Sequence, residues 1–388
     1  TAKTVLQETK IAANNYRTIQ ATSAASAAME QAVSYFMAGG FDQMVNATGI
    51  AGTDGNVDYV DGAPSAINLV IGTQTTSAQF YFDNAPGNVC DCVAANCLAV
   101  DDMTQGMIVA RGWSDDGSAE RTVSQCVGTV SLFDGDDTPQ QPFVSRAGVG
   151  VFGNAKIINR YSNISIWAGG ADTAHGASYG TYLRPSSTEV SDYSTEQLDS
   201  SCEASPCNVA NNPGPNTQLV SNRDTGNGID VITNDASLAS TSSDQFFDMF
   251  FSLTKGQVKK MANDSGKLFS AGSDLDGEKG LIWVDGNVNI NGTDVIGTPT
   301  DLAILIIDGN LDKLNGATIY GIVYVTGTLE IAGNPVVKGS IVAENTLAST
   351  GAGTLTLVFK PWGDGADGAP APFISGTGAV IAGSWKDW

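Results

Sequence analysis

The chain is short of positive charge: 19 Lys and Arg stand against 41 Asp and Glu in 388 residues, and 19 − 41 = −22 at neutral pH. That balance removes the electrostatic footprint a nucleic-acid binder needs. Long apolar runs are missing too. The densest, residues 302–307, falls far below the ~18 residues of a membrane-spanning helix. Histidine is nearly absent: His175 is the only one, expected as a surface histidine in the glycine-flanked loop 169–176. Histidine metal clusters are thereby excluded, and a Ser/His/Asp triad would depend on one side chain with no nucleophile elbow around it. The sequence starts at Thr1 with neither initiator Met nor signal peptide, the start expected of a processed product or a fragment. Charged residues make up only 15 %, while 42 % are hydrophobic and 45 are glycine. This profile fits a compact, loop-rich β protein of two or three structural units.

Six cysteines are present: Cys90, Cys92, Cys97, Cys126, Cys202 and Cys207. An even count in loop-rich sequence reads as disulfides in an oxidising compartment. Zinc is the rival reading, but the gaps between Cys90, Cys92 and Cys97 do not repeat the usual knuckle spacing. Cys202 and Cys207 flank a short polar loop with a proline and are expected to pair. If the segment is extended, Cys90 and Cys92 project to opposite sides, so one is expected to reach Cys97 and the other Cys126, with the assignment open.

The overall expectation is an α+β chain. Residues 1–40 predict a long helix: 1–38 hold no glycine or proline, apolar residues recur at helical spacing, and Gly39-Gly40 supply the expected stop. Residues 41–243 read as antiparallel strands with long loops, and 195–227 as an exposed, disulfide-pinned excursion. Residues 244–280 predict a short helical connector. Phe246, Phe247, Phe250 and Phe251 are core residues there, and Thr254 with Gln257 forms a capping box. In 281–360, Val284-Asp285-Gly286-Asn287, Ile307-Asp308-Gly309-Asn310, Val325-Thr326-Gly327-Thr328 and Val342-Ala343-Glu344-Asn345 recur at offsets of 23, 18 and 17. Such a period predicts stacked β-solenoid coils. Each coil is expected to bury one apolar row, drawn from Ile282, Val284, Ile304, Ile306, Val323, Val325, Ile341 and Leu347, with glycines at the corners. Residues 361–388 are expected to cap the open end of the stack.

No catalytic constellation stands out, and numerous carboxylate pairs make any one of them uninformative for glycoside hydrolysis. Acidic turns are the candidate metal sites. Asp274, Asp276 and Glu278 form the best calcium candidate, with 134–137 and 364–367 weaker; none has EF-hand spacing, and solvated turn acids are the simpler explanation. No other cofactor is indicated.

Three separated pieces resemble the PilX-type minor pilins of bacterial type IV pili. The first is the helix from Leu6-Gln7-Glu8-Thr9-Lys10-Ile11-Ala12-Ala13-Asn14 through Arg17 to Glu30. The second is Phe246 to Val258, leading into Gly280-Leu281-Ile282-Trp283-Val284-Asp285-Gly286-Asn287. The third is the ending Gly383-Ser384-Trp385-Lys386-Asp387-Trp388. Together they cover roughly a third of the chain. The resemblance implies that Thr1 lies partway along a pilin helix whose membrane-embedded half precedes it. It also implies a non-enzymatic tip or priming component, anchored in the inner membrane before assembly and then carried on the periplasmic and cell-surface pilus. Its implied partners are other minor pilins, the major pilin and a PilY-type adhesin, and its roles assembly, adhesion and twitching motility. On that reading Val5, Leu6, Ile11, Ala12, Tyr16 and Ile19 form the assembly interface; otherwise they bury against the chain's own β domain. The alternative is a secreted β-solenoid adhesin or polysaccharide-acting enzyme, with the acidic turns and the Asn-rich loop holding carbohydrate.

Overall fold

The computed structural model describes residues 2–45, 67–71, 74–83, 90, 105–129, 132–133, 138–151, 154–175, 179–201, 217–345, 353–361, 378–381 and 384–387. The chain divides into two compact units, Thr1–Val130 with Thr377–Trp388, and Ser131–Gly376. This boundary falls within 41–243, which the sequence presents as one β-rich region.

In the first unit, helix α1 spans Ala2–Val45, about 66 Å at 1.5 Å per residue. It does not stop at Gly39-Gly40. A glycine costs only ~1 kcal/mol relative to alanine in a helix interior, which a helix of this length absorbs. Its second half lies on an antiparallel sheet of β1 (Ile67–Ile71), β2 (Gln74–Asp83), β3 (Gln105–Trp113) and β4 (Glu120–Thr129). Strand alternation turns Phe80, Phe82, Ile108, Ala110, Val123 and Val127 towards the helix, where Ala24, Ala25, Ala28, Met29, Ala32 and Phe36 cover them. Small side chains let the backbones approach closely. At Gly112 of β3, a Cβ would stand 2.3 Å from the Ala25 nitrogen and 2.4 Å from the Ala21 oxygen.

The described segments of the C-terminal tail after Pro361, 378–381 and 384–387, join this sheet and not the repeats, where the sequence places a cap. Gly378–Val380 and Lys386–Asp387 pair antiparallel with β4, satisfying an edge whose N–H and C=O groups would otherwise be open. Within the ending quoted above, Ser384 Oγ accepts from the Cys126 amide at 3.1 Å and from the Gln125 side chain, while Ile381 N donates to the Cys126 oxygen at 2.9 Å.

The second unit contains β5 (Phe143–Ser145), β6 (Val149–Val151), β7 (Lys156–Asn159), β8 (Ile166–Ala168), β9 (Asp172–His175), β10 (Gly180–Leu183), β11 (Gln218–Asn222) and β12 (Val231–Ile232). There follow β13 (Leu268–Ser270), β14 (Gly280–Asp285), β15 (Val288–Asn291), β16 (Val295–Ile296), β17 (Ala303–Asp308), β18 (Leu311–Asn315), β19 (Thr318–Val325), β20 (Leu329–Ala332), β21 (Val336–Ala343) and β22 (Thr356–Val358). The antiparallel expectation fails for β5 to β10. β5, β7, β8 and β10 pair parallel within one sheet (β21 with β5, β5 with β8, β22 with β7, β7 with β10), because they extend that stack instead of folding into hairpins; β6 and β9 pair parallel as a separate two-stranded sheet, and β10 also pairs antiparallel with β11, as expected. His175 lies at the end of β9, paired with Val151, and not in a loop.

The repeats stack in parallel register. Val284 pairs with Ile307 and Ile307 with Val325, offsets of 23 and 18 as the motifs predict. Val325 then pairs with Ala343 and not Val342, an offset of 18. A second parallel sheet, β15-β18-β20, faces the first, and asparagines tie successive turns. Asn287 Oδ1 accepts from Asn310 N at 3.0 Å, and Asn310 Oδ1 from Thr328 N at 2.9 Å.

Two apolar rows are buried, not one. Ile282, Val284, Leu305, Ile307, Val323, Val325 and Ile341 fill the interior between the sheets. Ile304 and Ile306 are on the opposite face with Leu281, Trp283, Ile322, Tyr324 and Val342, since a one-residue step reverses the side of a strand. Leu347 lies outside the described residues. That outer face is covered by α2 (Ser243–Asp248) and α3 (Lys255–Asp264), with all four phenylalanines in the layer. The helices therefore roof the sheet. The capping box at Thr254 forms as its sequence predicts.

A single turn preceding this layer gives a pH test. Asp235 caps the helical turn Ala236–Ala239 and accepts from Trp167 Nε1 at 2.8 Å. The Ser237 hydroxyl, Trp167 and the Leu238 amide lower its pKa to about 2. A depressed carboxylate stabilises the fold above its unfolded value, near ~3.9, and that contribution is lost as pH falls towards the folded value. Acid titration followed by Trp167 environment should therefore show a loss of local order between these limits, and Asp235→Asn should remove that part of the pH dependence.

Candidate functional site

The surface the sequence singles out is the N-terminal half of α1. The helix is continuous from Ala2, but its burial changes near Gln20. From Gln20 onward a face of the helix is buried, whereas residues 7–16 are exposed throughout. Ile11 is 60 % exposed, Tyr16 50 % and Ile19 62 %, and Ala12 is exposed with them. Val5 and Leu6 belong to the helix, but their side chains lie outside the described residues.

At about 100° per residue, Ile11, Ala12, Tyr16 and Ile19 form one stripe, roughly opposite the face of Ala21, Ala24, Ala25, Ala28 and Ala32. Ile19 is the decisive member. It is adjacent to fully buried Gln20 and Ala21, well within reach of the sheet, and still faces solvent. The sheet of this unit covers the other side of the helix, so the stripe does not bury against it.

One polar clasp sets the junction between the free and packed halves. Arg17 Nε lies 2.7 Å from Asp116 Oδ2 in the β3–β4 turn. Asp116 Oδ1 accepts from the Ser118 hydroxyl at 2.6 Å, the Ser118 amide at 3.0 Å and Ser114 Oγ at 2.8 Å. These bonds, the Ser118 hydroxyl first, hold the Asp116 carboxyl well below the usual carboxylate range; Arg17 adds a smaller effect. The clasp was not singled out from sequence. Gly112 offered a usable signal, since a glycine inside an apolar strand marks a close backbone approach.

The other sequence candidates separate. Cys90 pairs with Cys126, with Cα atoms 5.6 Å apart; this decides which of Cys90 and Cys92 reaches Cys126. Cys92, Cys97, Cys202 and Cys207 lie outside the described residues, as do the acidic turns 134–137 and 364–367. The calcium candidates are engaged with protein partners. Asp274 Oδ1 accepts from Asp276 N at 3.1 Å, Asp276 Oδ1 accepts from Val295 N at 2.9 Å, and Glu278 pairs with Lys267. Among the described residues no group of three or more His, Cys, Asp and Glu is placed to hold a metal ion. Nor is any described helix long and apolar enough to cross a membrane.

No family model matches this chain, and no curated protein matches it. Among solved structures, the chain is similar to the competence-associated pilin ComZ from Thermus thermophilus at 12 % identity, over 96 % of this chain and 98 % of that one. The TM-score is 0.22, too low for the likeness to carry an argument.

Proposed function

We propose that this chain is a non-enzymatic minor pilin of a type IV pilus, with the exposed stripe of α1 as its assembly interface. The observation that carries the reading is Ile11, Ala12, Tyr16 and Ile19, an apolar stripe facing away from the sheet that, among the described residues, packs on the helix. An apolar helix face left in water favours burial against other helices. The role is architectural: the stripe packs among pilin helices in the tip or priming complex, and the parallel coils, read as a β-solenoid, are carried with it on the pilus. Other minor pilins, the major pilin and a PilY-type adhesin are the proposed partners. Adhesion and twitching motility are the proposed outputs, and the periplasm and cell surface the proposed locations.

The test introduces charge on the stripe without touching the packed face. Tyr16→Asp with Ile19→Asp should abolish recovery of the protein in sheared pili, while circular dichroism and the melting transition stay unchanged. Asn14→Asp, on the same helix but off the stripe, should leave recovery intact. Retention of the double variant in pili, or equal loss with Asn14→Asp, would sink the proposal.

A further inference from the structure

The chain contains three Asn-Gly pairs, Asn227-Gly228, Asn291-Gly292 and Asn315-Gly316. In such a pair the glycine amide nitrogen, unhindered by a Cβ, can attack the asparagine Cγ. A new C–N bond forms, Nδ2 takes a proton and leaves as ammonia, and the product is a succinimide ring. Water then opens either carbonyl, giving aspartate or isoaspartate. The reaction needs only water, but the backbone and side chain must rotate into position, so local order governs its rate.

The three sites are alike in sequence and different in place. Gly228 N donates to Ser221 Oγ at 2.7 Å, and Ser221 is itself buried and bonded to buried Asp230; the attacking nitrogen is tied down. Asn315 is half-buried in the middle strand of the β15-β18-β20 sheet, with Asn291 beside it on one strand and Ala332 on the other. Its Oδ1 packs so closely on Gly333 that a Cβ there would lie 2.0 Å away. Asn291 ends the outermost strand of that sheet. It and Gly292 are both exposed and nothing crowds Gly292; the bonds at Asn291 are backbone ones, its N donating to Asp294 Oδ2 at 2.9 Å and its oxygen accepting from Asp294 N at 3.0 Å, and its side-chain amide has no hydrogen-bond partner among the described residues.

We infer that Asn291 is a self-modification site, at which the fold permits succinimide formation while suppressing it at Asn227 and Asn315. Each conversion changes the net charge from −22 to −22 − 1 = −23 and, as isoaspartate, lengthens the backbone at the open edge of the first coil.

The experiment incubates the full folded chain in mildly alkaline buffer and follows each Asn-Gly peptide by mass spectrometry, with isoaspartyl methyltransferase labelling. Asn291 should convert about tenfold or more faster than the other two, a ratio that needs only ~1.4 kcal/mol of extra restraint elsewhere. In concentrated urea the three rates should converge, because the local chemistry is shared. Asn291→Gln should remove the acidic isoform. Equal rates in the folded chain, the same ranking in urea, or persistence of the isoform in Asn291→Gln would each overturn the inference.

Discussion

Lys255→Met should cost about 3–5 kcal/mol in urea unfolding, the penalty for leaving a buried charge without its partner. Glu344 is only 3 % exposed, and Lys255 Nζ lies 2.6 Å from its Oε1. The same carboxylate accepts from the Tyr324 hydroxyl at 2.8 Å and from Ser243. Tyr324 is ringed by Phe246, Phe247 and Phe251. Burial first, and Glu344 second, push its phenol well above the ordinary range, so it stays a donor. The lysine thus compensates a charge that the aromatic roof has withdrawn from water. Adding Glu344→Gln to Lys255→Met should recover at least half of the loss, since a glutamine still accepts from Tyr324 and brings no charge to bury. If the single variant costs under ~1 kcal/mol, as exposed pairs do, the pair is solvated and this account of the roof is wrong.

Gly321→Ala should destabilise the second unit by about 4 kcal/mol, combining backbone strain with a collision. Gly321 sits inside β19 at φ +132°, and a Cβ there would lie 1.9 Å from the Ala303 carbonyl oxygen. That oxygen is backbone, not the end of a flexible side chain that can swing aside. Gly339 repeats the arrangement in β21, at φ +148° and 1.9 Å from the Gly321 oxygen. By contrast Gly266, with open space around it, carries only the strain of a positive φ, so Gly266→Ala should cost about 1 kcal/mol. Thermal unfolding of both variants tests the difference; equal small losses would mean that β19 shifts to admit the methyl group.

These stacked glycines explain a one-residue error in the sequence-based register. Aligning apolar residues places Val342 against Val325, but Gly339 must lie on Gly321, which carries Ala343 to that position. They also refine the expectation of corner glycines, since these two are within strands. The same parity governs Ile304 and Ile306. Alternation told which residues share a face, but both faces here are apolar, so it carried no information about which faces the interior. The cysteines show the same limit: the pairing of Cys126 depended on where Cys90 comes to rest across the sheet.

The candidate interface was legible residue by residue as an apolar helical stripe, yet its exposure was not. Ile19 and Ala21 are equally compatible with burial when read along the chain. Only the position of β3, held close by Gly112 and by Arg17 on Asp116, exposes one and buries the other.

What the sequence determined by itself was local: the long alanine-rich helix, the Thr254 capping box, the first two repeat offsets and the residues of the phenylalanine layer. Each depends on neighbours within a few turns or on a motif that recurs. What the tertiary structure decided was non-local: the parallel pairs among β5 to β10, the return of 378–380 and 386–387 to β4, the role of Phe246 to Phe251 as a roof, and the side of α1 that stays open. Those outcomes follow from which edges and faces meet, and the free energy of such a meeting belongs to both surfaces at once.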